Sequence, residues 1–299
     1  MRARFTLVAP ELPDHLVADT ADALAHVGWV GLQRRAVPMD GLVGLHLTGV
    51  VPPVTFSHAG HDHEAMVRDL LSGWDALGVS AALITGDLAH RPPSLLVMDA
   101  DSTLLTSEVI EEIAEHAGVA EEVERVTSAA MRGELDFTES LHERLSLLAG
   151  LPLSTVEEVA ATVRFSPGAK RLVDEMHEAG AAVGVVSGGF HEVLDPLAER
   201  LGIDYVRANR LEVHAGRLTG RPLGPVIDGA AKLAALQEWN ATHPGPTVAM
   251  GDGANDLKMV EAADLGIAYC AKPVLNEAAD ARIPFPRLDA AALLADIVT

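Results

Sequence analysis

Cysteine is almost missing from this 299-residue chain. Cys270 stands alone, so no intramolecular disulfide can form, which fits a reducing compartment. Aromatic residues make up only 4%, which leaves packing to Leu, Val, Ala and Ile. Positive charge is scarce: 22 Lys and Arg face 43 Asp and Glu, a formal charge of −21. No basic face for a nucleic acid is visible, and an anionic substrate would need local attraction from a metal or a few placed cations. No apolar run approaches the length of a membrane span. The opening "MRARFTLVAPELPDHL" holds an apolar run too short for a secretory signal, and acidic residues follow at once. These absences lead to the expectation of a soluble cytoplasmic protein with no nucleic-acid or membrane partner.

Apolar residues are plentiful, at 48%, enough for a sizeable core. The length allows two domains, or one large domain carrying an insertion. Residues 1–90 read as a small α+β unit. "RFTLVA" is strand-like, and Pro13 to Val27 carries Leu16, Val17, Leu24 and Val27 at helical spacing. "WVGLQRRAV" and "LVGLHLTGVV" are strands joined across the turn signal "PMDG". Asp62 to Leu77 is helical in pattern, and "VSAALIT" closes the unit as a last strand. The order β-α-β-β-α-β is ferredoxin-like. "AHRPPS" (Ala89–Ser94) reads as a linker, because two prolines resist both helix and central strand.

From Ser94 the pattern changes. "LLVMD", "AAVGVVS", "PTVAMGD" and "LGIAYCA" alternate with helical segments, the sequence form of a Rossmann-like parallel sheet covered by helices. About 80 residues separate the first two strands, too many for one crossover helix. They read as an inserted helical cap at about 107–165. Helices are expected at Glu108–His116 and Phe137–Leu148, and from Ser154, where "STVE" has the form of a capping box. In "RFSPGAKRLVDEMHEAG", Ser166 is expected as N-cap with Pro167 at the first helical position. "VRANRLEVHAGRLTGRP" reads as a hairpin or flap, and Cys270 as a core residue of a strand.

Ligands of open α/β sheets bind beyond the carboxyl ends of the strands. Asp99, Ser187 and Asp252 each stand where a strand run ends, so three strands deliver polar groups to one rim. Asp99 and Asp101 form a close carboxylate pair in "LLVMDADSTLLTSE". An EF-hand loop also begins D-x-D, but its sixth position would be Leu104 and its twelfth Ile110, where Gly and Glu are needed. A solvated turn is the plain alternative. Phosphoryl transfer is the third reading: one Asp attacks phosphorus, the other moves the proton, and magnesium offsets the repulsion between carboxylate and phosphate.

At this point the motifs resemble those of the haloacid dehalogenase-type phosphatases, and among them the phosphoserine phosphatase family. "DADSTLLTSE" is similar to the first motif, "VVSGGF" to the second, Lys232 in "DGAAKLAAL" to the third and "GDGANDLKM" to the fourth. The likeness spans roughly Leu95 to Cys270. It implies Mg²⁺-dependent hydrolysis of O-phospho-L-serine, the last step of serine biosynthesis, through an aspartyl phosphate. It also implies roles. Asp99 would be nucleophile and metal ligand. Asp101 would be acid and base, with its main-chain carbonyl on the metal. Asp252 would be the third protein ligand, and Asp256 would bind metal waters or orient Lys232. Ser187, Lys232 and the amide of Gly188, with Gly189 and Asn255, would contact the phosphate. Taken singly, Lys232 reads as an exposed helix lysine, "SGG" as a strand-to-helix turn and "GDG" as a tight turn.

The cap is expected to choose the substrate. Glu108 could pair with an ammonium, and Arg144 could grip a carboxylate with its two-pronged guanidinium. An amino-acid phosphomonoester carries both groups. By resemblance Met131, Phe137 and Arg144 fall at substrate-contact positions, with cap packing as the plainer role of Met131 and Phe137. The N-terminal unit resembles an ACT domain in its element order, which implies an amino-acid effector and a homodimer. "SHAGHDHE", with His58, His61 and His63, reads as a loop before a helix, with a transition-metal site as the alternative. Two other functions stay open on sequence alone: an amino-acid-sensing regulatory protein, and a related small-molecule phosphatase or phosphotransferase.

Overall fold

The computed structural model describes residues 2–51, 74, 77–131 and 134–298. The His58, His61 and His63 cluster lies outside the described residues, as does the helix expected over Asp62 to Leu77 except for Trp74 and Leu77. The first unit runs β1 (Arg2–Ala9), α1 (Asp14–His26), β2 (Val30–Met39), β3 (Leu42–Val50) and β4 (Ser80–Ile84). Its strands are antiparallel in the order β2-β3-β1-β4, as a ferredoxin-like unit requires.

The second unit opens with β5 (Leu95–Met98) and then four helices: α2 (Val109–Ala117), α3 (Ala120–Met131), α4 (Phe137–Leu147) and α5 (Leu153–Thr162). It continues through α6 (Ala169–Glu178), β6 (Ala182–Phe190), α7 (His191–Leu201) and β7 (Tyr205–Asn209). A hairpin of β8 (Leu211–His214) and β9 (Arg217–Pro222) follows, then α8 (Gly229–Thr242) and β10 (Thr247–Gly251). The chain ends through α9 (Leu257–Ala262), β11 (Leu265–Tyr269), α10 (Pro273–Ala278), β12 (Ala281–Ile283) and α11 (Ala290–Ala295). Strands β12-β11-β10-β5-β6-β7 pair in parallel, and β12 meets β4 antiparallel at Ala281↔Ala82. The two units therefore share one ten-stranded sheet.

Strand β5 shows why the apolar runs are nearly continuous. Leu96 and Met98 enter the largest core cluster, while Leu95 and Val97 point the other way and join Ala235, Leu236, Trp239 and Met259. A strand covered on both faces needs apolar residues at both parities. Gly184 of β6 has a steric reason: a Cβ there would lie 2.5 Å from the Trp239 ring. Among the described residues no helix is long and apolar enough to cross a membrane.

Three local expectations are corrected. Ser166 does not cap α6, which starts after Gly168 at φ 85°. The Ser166 hydroxyl instead donates to the Thr103 carbonyl at 2.6 Å. The "STVE" box does not form, because α5 begins at Leu153 behind Pro152 and Ser154 already lies in its first turn. A capping box stands elsewhere: Glu139 N donates to Asp136 Oδ1 at 2.8 Å, and Asp136 N donates to Glu139 Oε2 at 3.0 Å. Cys270 is exposed just past β11 with φ 44°, outside the core.

The end of the chain is tied to the N-terminal strands by buried polar groups. Arg4 Nη1 lies 3.3 Å from Asp296 Oδ2, and Arg4 Nη2 donates to the carbonyls of Leu294 and Ala295 at 3.4 and 3.2 Å. Arg35 also reaches Asp296. His46 is 2% exposed, with Nδ1 3.1 Å from Thr6 Oγ1 and Nε2 3.4 Å from Asp296 Oδ1. Burial pushes the imidazole down to about 4, with Asp296 opposing and Arg4 and Arg35 adding to the fall. The folded protein keeps His46 neutral while the unfolded chain takes up its proton near 6.5. Stability is therefore lost as pH falls from about 6.5 through 4, by up to about 3 kcal/mol from this group. Urea denaturation at pH 7 and pH 4 should show a smaller acid loss for H46Q than for wild type. Equal losses would put the acid sensitivity elsewhere.

Candidate active site

Asp99 follows β5 directly, and its amide donates to the Met250 carbonyl of β10 at 3.0 Å. Its Oδ1 accepts the Ala100 amide at 2.7 Å and lies 2.7 Å from Lys232 Nζ. The same ammonium donates to Asp256 Oδ1 at 2.7 Å. Asp256 Oδ2 in turn accepts the amides of Asp252 and Gly253 at 3.2 and 3.1 Å. Gly251 makes this approach possible, since a Cβ there would stand 2.3 Å from Asp256 Cγ. Lys232 is not the exposed lysine that its helix position suggested: it is 0% exposed, as is Asp256.

Lys232 is placed by the start of α8. Asp228 Oδ1 accepts the amides of Ala230 and Ala231 at 3.0 and 2.9 Å, and its carbonyl accepts the Lys232 amide at 3.0 Å. Burial alone would lower the Lys232 pKa, but the charges of Asp256 and Asp99 outweigh it and drive the group upward. Asp99 is pushed up by burial and by Asp256, with Lys232 opposing. Asp252 is raised to about 6 by burial and by Asp256, with Lys272 opposing.

The chain after Asp99 makes a wide turn in which Ser102 takes φ 55°, a conformation that costs an L-residue about 1–2 kcal/mol. That turn carries Asp101 to the first amide of the cap: Val109 N donates to Asp101 Oδ1 at 3.1 Å. Ser102 Oγ donates to Glu108 Oε1 at 2.9 Å. Burial, with the Glu108 charge adding to it, raises the Asp101 carboxyl to about 7. Burial lowers Arg144, while Glu108 and Asp101 oppose that shift.

Asp99, Asp101, Asp252 and Asn255 on the sheet side and Glu108, Phe137 and Arg144 on the cap side line one cavity of about 650 Å³. Gly188 and Gly189 line it as well. A Cβ at Gly188 would come within 2.7 Å of Phe137 Cζ, and one at Gly189 within 3.1 Å of Asp101 Oδ2. Ser187, Lys232 and Asp256 stand fully buried beside it, with Gly189 N donating to Ser187 Oγ at 2.8 Å. The side chain of Met131 lies outside the described residues.

Asp99, Asp252 and Asp256 each offer an oxygen within 4.8 Å of the others. When all three are ionised, Lys232 neutralises one charge and two remain in a buried space. Clustered hard oxygens with excess negative charge fit a divalent cation such as Mg²⁺.

A model of the haloacid dehalogenase-like hydrolases matches residues 96–261. The chain belongs to that family. This hydrolase is 50% identical over 242 residues to a phosphoserine phosphatase of Streptomyces coelicolor, covering 80% of this chain and 59% of that protein. It thus spans about three fifths of the Streptomyces protein's length. It is 52% identical over 197 residues to a phosphoserine phosphatase of Streptococcus thermophilus, covering 65% of this chain and 92% of that one. A solved structure described as a phospho-aspartyl intermediate analogue of phosphoserine phosphatase matches with a TM-score of 0.63 at 43% identity, over 67% of this chain and 97% of that one.

Sequence reasoning passed over several residues of the hydrolase's site. Asp228 carried a readable signal, an N-cap residue four positions before the lysine. Asn209 carried none: its Nδ2 donates to the Gly188 carbonyl at 2.7 Å and its Oδ1 accepts the Ile227 amide at 2.9 Å, bracing the glycine turn from a distant strand. Lys258 and Lys272 also line the cavity, though both sit in ordinary surface contexts in sequence. Replacing Lys232 by Met leaves two buried carboxylates without their cation. K232M should lose about 3–5 kcal/mol of stability at neutral pH in the metal-free protein. A change below 1 kcal/mol by urea denaturation would mean that the ammonium does not hold the cluster together.

Proposed function

We propose that this hydrolase is a Mg²⁺-dependent phosphoserine phosphatase, converting O-phospho-L-serine to L-serine and phosphate as the last step of serine biosynthesis. One observation carries the reading. A single cavity joins the paired carboxylates of the sheet rim to Glu108 and Arg144 of the cap. A phosphate directed at Asp99 would leave the amino-acid end facing one anionic and one cationic group, which suits an ammonium and a carboxylate. The named activity of the Streptomyces and Streptococcus relatives supports it.

In this mechanism Asp99 attacks phosphorus, the bond from phosphorus to the serine oxygen breaks, and Asp101 gives that oxygen its proton. Asp101 then takes a proton from the water that attacks the aspartyl phosphate, phosphate leaves, and Asp99 is restored. Lys232 balances charge at the nucleophile, while Ser187, the Gly188 amide and Asn255 would hold phosphoryl oxygens, with Gly189 beside them. Asp99, Asp252 and Asp256, with the Asp101 carbonyl, would hold Mg²⁺. The bound ion supplies the positive charge that lets an anionic nucleophile and an anionic phosphate approach. Met131 and Phe137 would pack on the substrate's short carbon chain.

The wider reading keeps residues 1–90 as an ACT-like unit, 91–299 as the phosphatase core and 107–165 as its cap. It makes the protein a cytoplasmic homodimer with an amino-acid effector at the first unit. The single cysteine and the exposed edge strand β2 support this extension.

Phosphate release from phosphoserine should require Mg²⁺ and should fall by about 10⁴ in D99N. Equal release by wild type and D99N would end the covalent mechanism. E108Q should raise KM for phosphoserine by about tenfold while leaving KM for a phosphomonoester without an amino group nearly unchanged. Equal effects on the two substrates would remove Glu108 from ammonium recognition.

A further inference from the structure

The cavity poses an electrostatic problem that Lys232 does not solve. An incoming phosphate is an anion, the chain carries a formal charge of −21, and Asp99, Asp101 and Asp252 all face the cavity. Lys232 is fully buried, and both of its carboxylate partners already lie at 2.7 Å. Among the described residues lining the cavity, the cations are Arg144 on the cap and Lys258 and Lys272 on the sheet side. Of these two lysines, Lys272 is the one tied to the acidic cluster. Its amide donates to the Asp252 carbonyl at 2.8 Å, and its Nζ lies 3.9 Å from Asp252 Oδ2. Its side chain is 57% exposed, against 12% for Asp252. The ammonium therefore stands at the mouth while the carboxylate stands within.

We infer that Lys272 is a positioning residue that trades metal affinity against anion affinity at this site. A fixed positive charge beside Asp252 repels a divalent cation arriving at that carboxylate and attracts the phosphate that must follow. The same charge acts with opposite sign on the two ligands. A residue that only packs or only caps a turn would move both affinities together or neither. The anion half of the inference rests on the proposed phosphatase reading, whereas the metal half rests on the carboxylate cluster alone.

Calorimetric titration separates the two halves. Mg²⁺ is titrated into substrate-free wild type, K272Q and K272R, and inorganic phosphate is then titrated into each protein saturated with Mg²⁺. K272Q should bind Mg²⁺ about threefold more tightly and phosphate about fivefold more weakly, the size expected for one partly exposed charge. K272R keeps the charge and should stay near wild type in both titrations. The split should shrink in 0.5 M salt, where the Debye length falls to about 4–5 Å. In steady-state assays K272Q should raise KM for phosphoserine more than it lowers kcat. Mg²⁺ affinity that is unchanged or weaker in K272Q overturns the inference. Tighter Mg²⁺ with unchanged phosphate affinity overturns it too, because the trade would be absent. Failure of wild type to hydrolyse phosphoserine would instead remove the substrate assignment and leave both titrations decisive.

Discussion

The whole site is arranged around one buried ammonium. Lys232 Nζ lies 2.7 Å from carboxylate oxygens of both Asp99 and Asp256, and none of the three residues is more than 3% exposed. Without a cation, two carboxylates in this space would be driven to the neutral form, and a neutral carboxyl is a poor nucleophile. The position of the ammonium is in turn a matter of packing. Trp239 lies seven residues after Lys232, two turns along α8 and on nearly the same face. Its ring rests against β6 where Gly184 has no side chain. The strand glycine, the indole and the Asp228 cap together set where α8 lies, and so where the charge sits.

A second constraint joins chemistry to the cap. Asp101 accepts from Val109, the first residue of α2, and Glu108 accepts from Ser102 of the turn after Asp99. The chain leaves the sheet and returns side by side: Thr106 N donates to Arg164 O at 3.0 Å, and Ser166 N donates to Leu104 O at 2.8 Å. The hairpin holds the cap a second time, with Gly150 N donating to Leu218 O at 2.8 Å and Leu218 N to Leu151 O at 2.9 Å. The acid/base candidate is thus oriented by the same segment that carries the candidate ammonium-binding group.

Legibility in the sequence followed the physics of each feature. The strands that end in Asp99 and Asp252 were readable because burial on both faces demands unbroken apolar runs, and a carboxylate closing such a run stands out. The four motifs were readable by their likeness to a known family. Cap signals were less reliable. "STVE" has the right letters, but Pro152 sets the start of α5 ahead of it, whereas Asp136 and Glu139 form a real box from an equally plain "DFTE". Ser166 read as an N-cap, yet its hydroxyl is used to tie the returning strand to Thr103. Cys270 read as core because its neighbours are apolar, but the chain turns at φ 44° there and carries it out. The burial of Lys232 and the brace by Asn209 depend on partners 18 or more residues away, and no local pattern encodes them.

The two attachments of the parallel sheet differ in kind. The N-terminal strands continue the sheet through β4 and β12, and the C-terminal helix packs on their face, with Leu293 Cδ2 3.0 Å from where a Cβ of Gly44 would be. Arg4 and His46 are desolvated there, so separating the units would strand buried polar groups. The cap is joined by two short crossing segments and by hairpin bonds near the surface, where Arg217 is exposed. The cap also shares the main apolar core with the sheet: Ile113, Leu145 and Val159 belong to the same buried cluster as Leu96 and Met98 of β5, so its docking rests on burial as well as on those bonds.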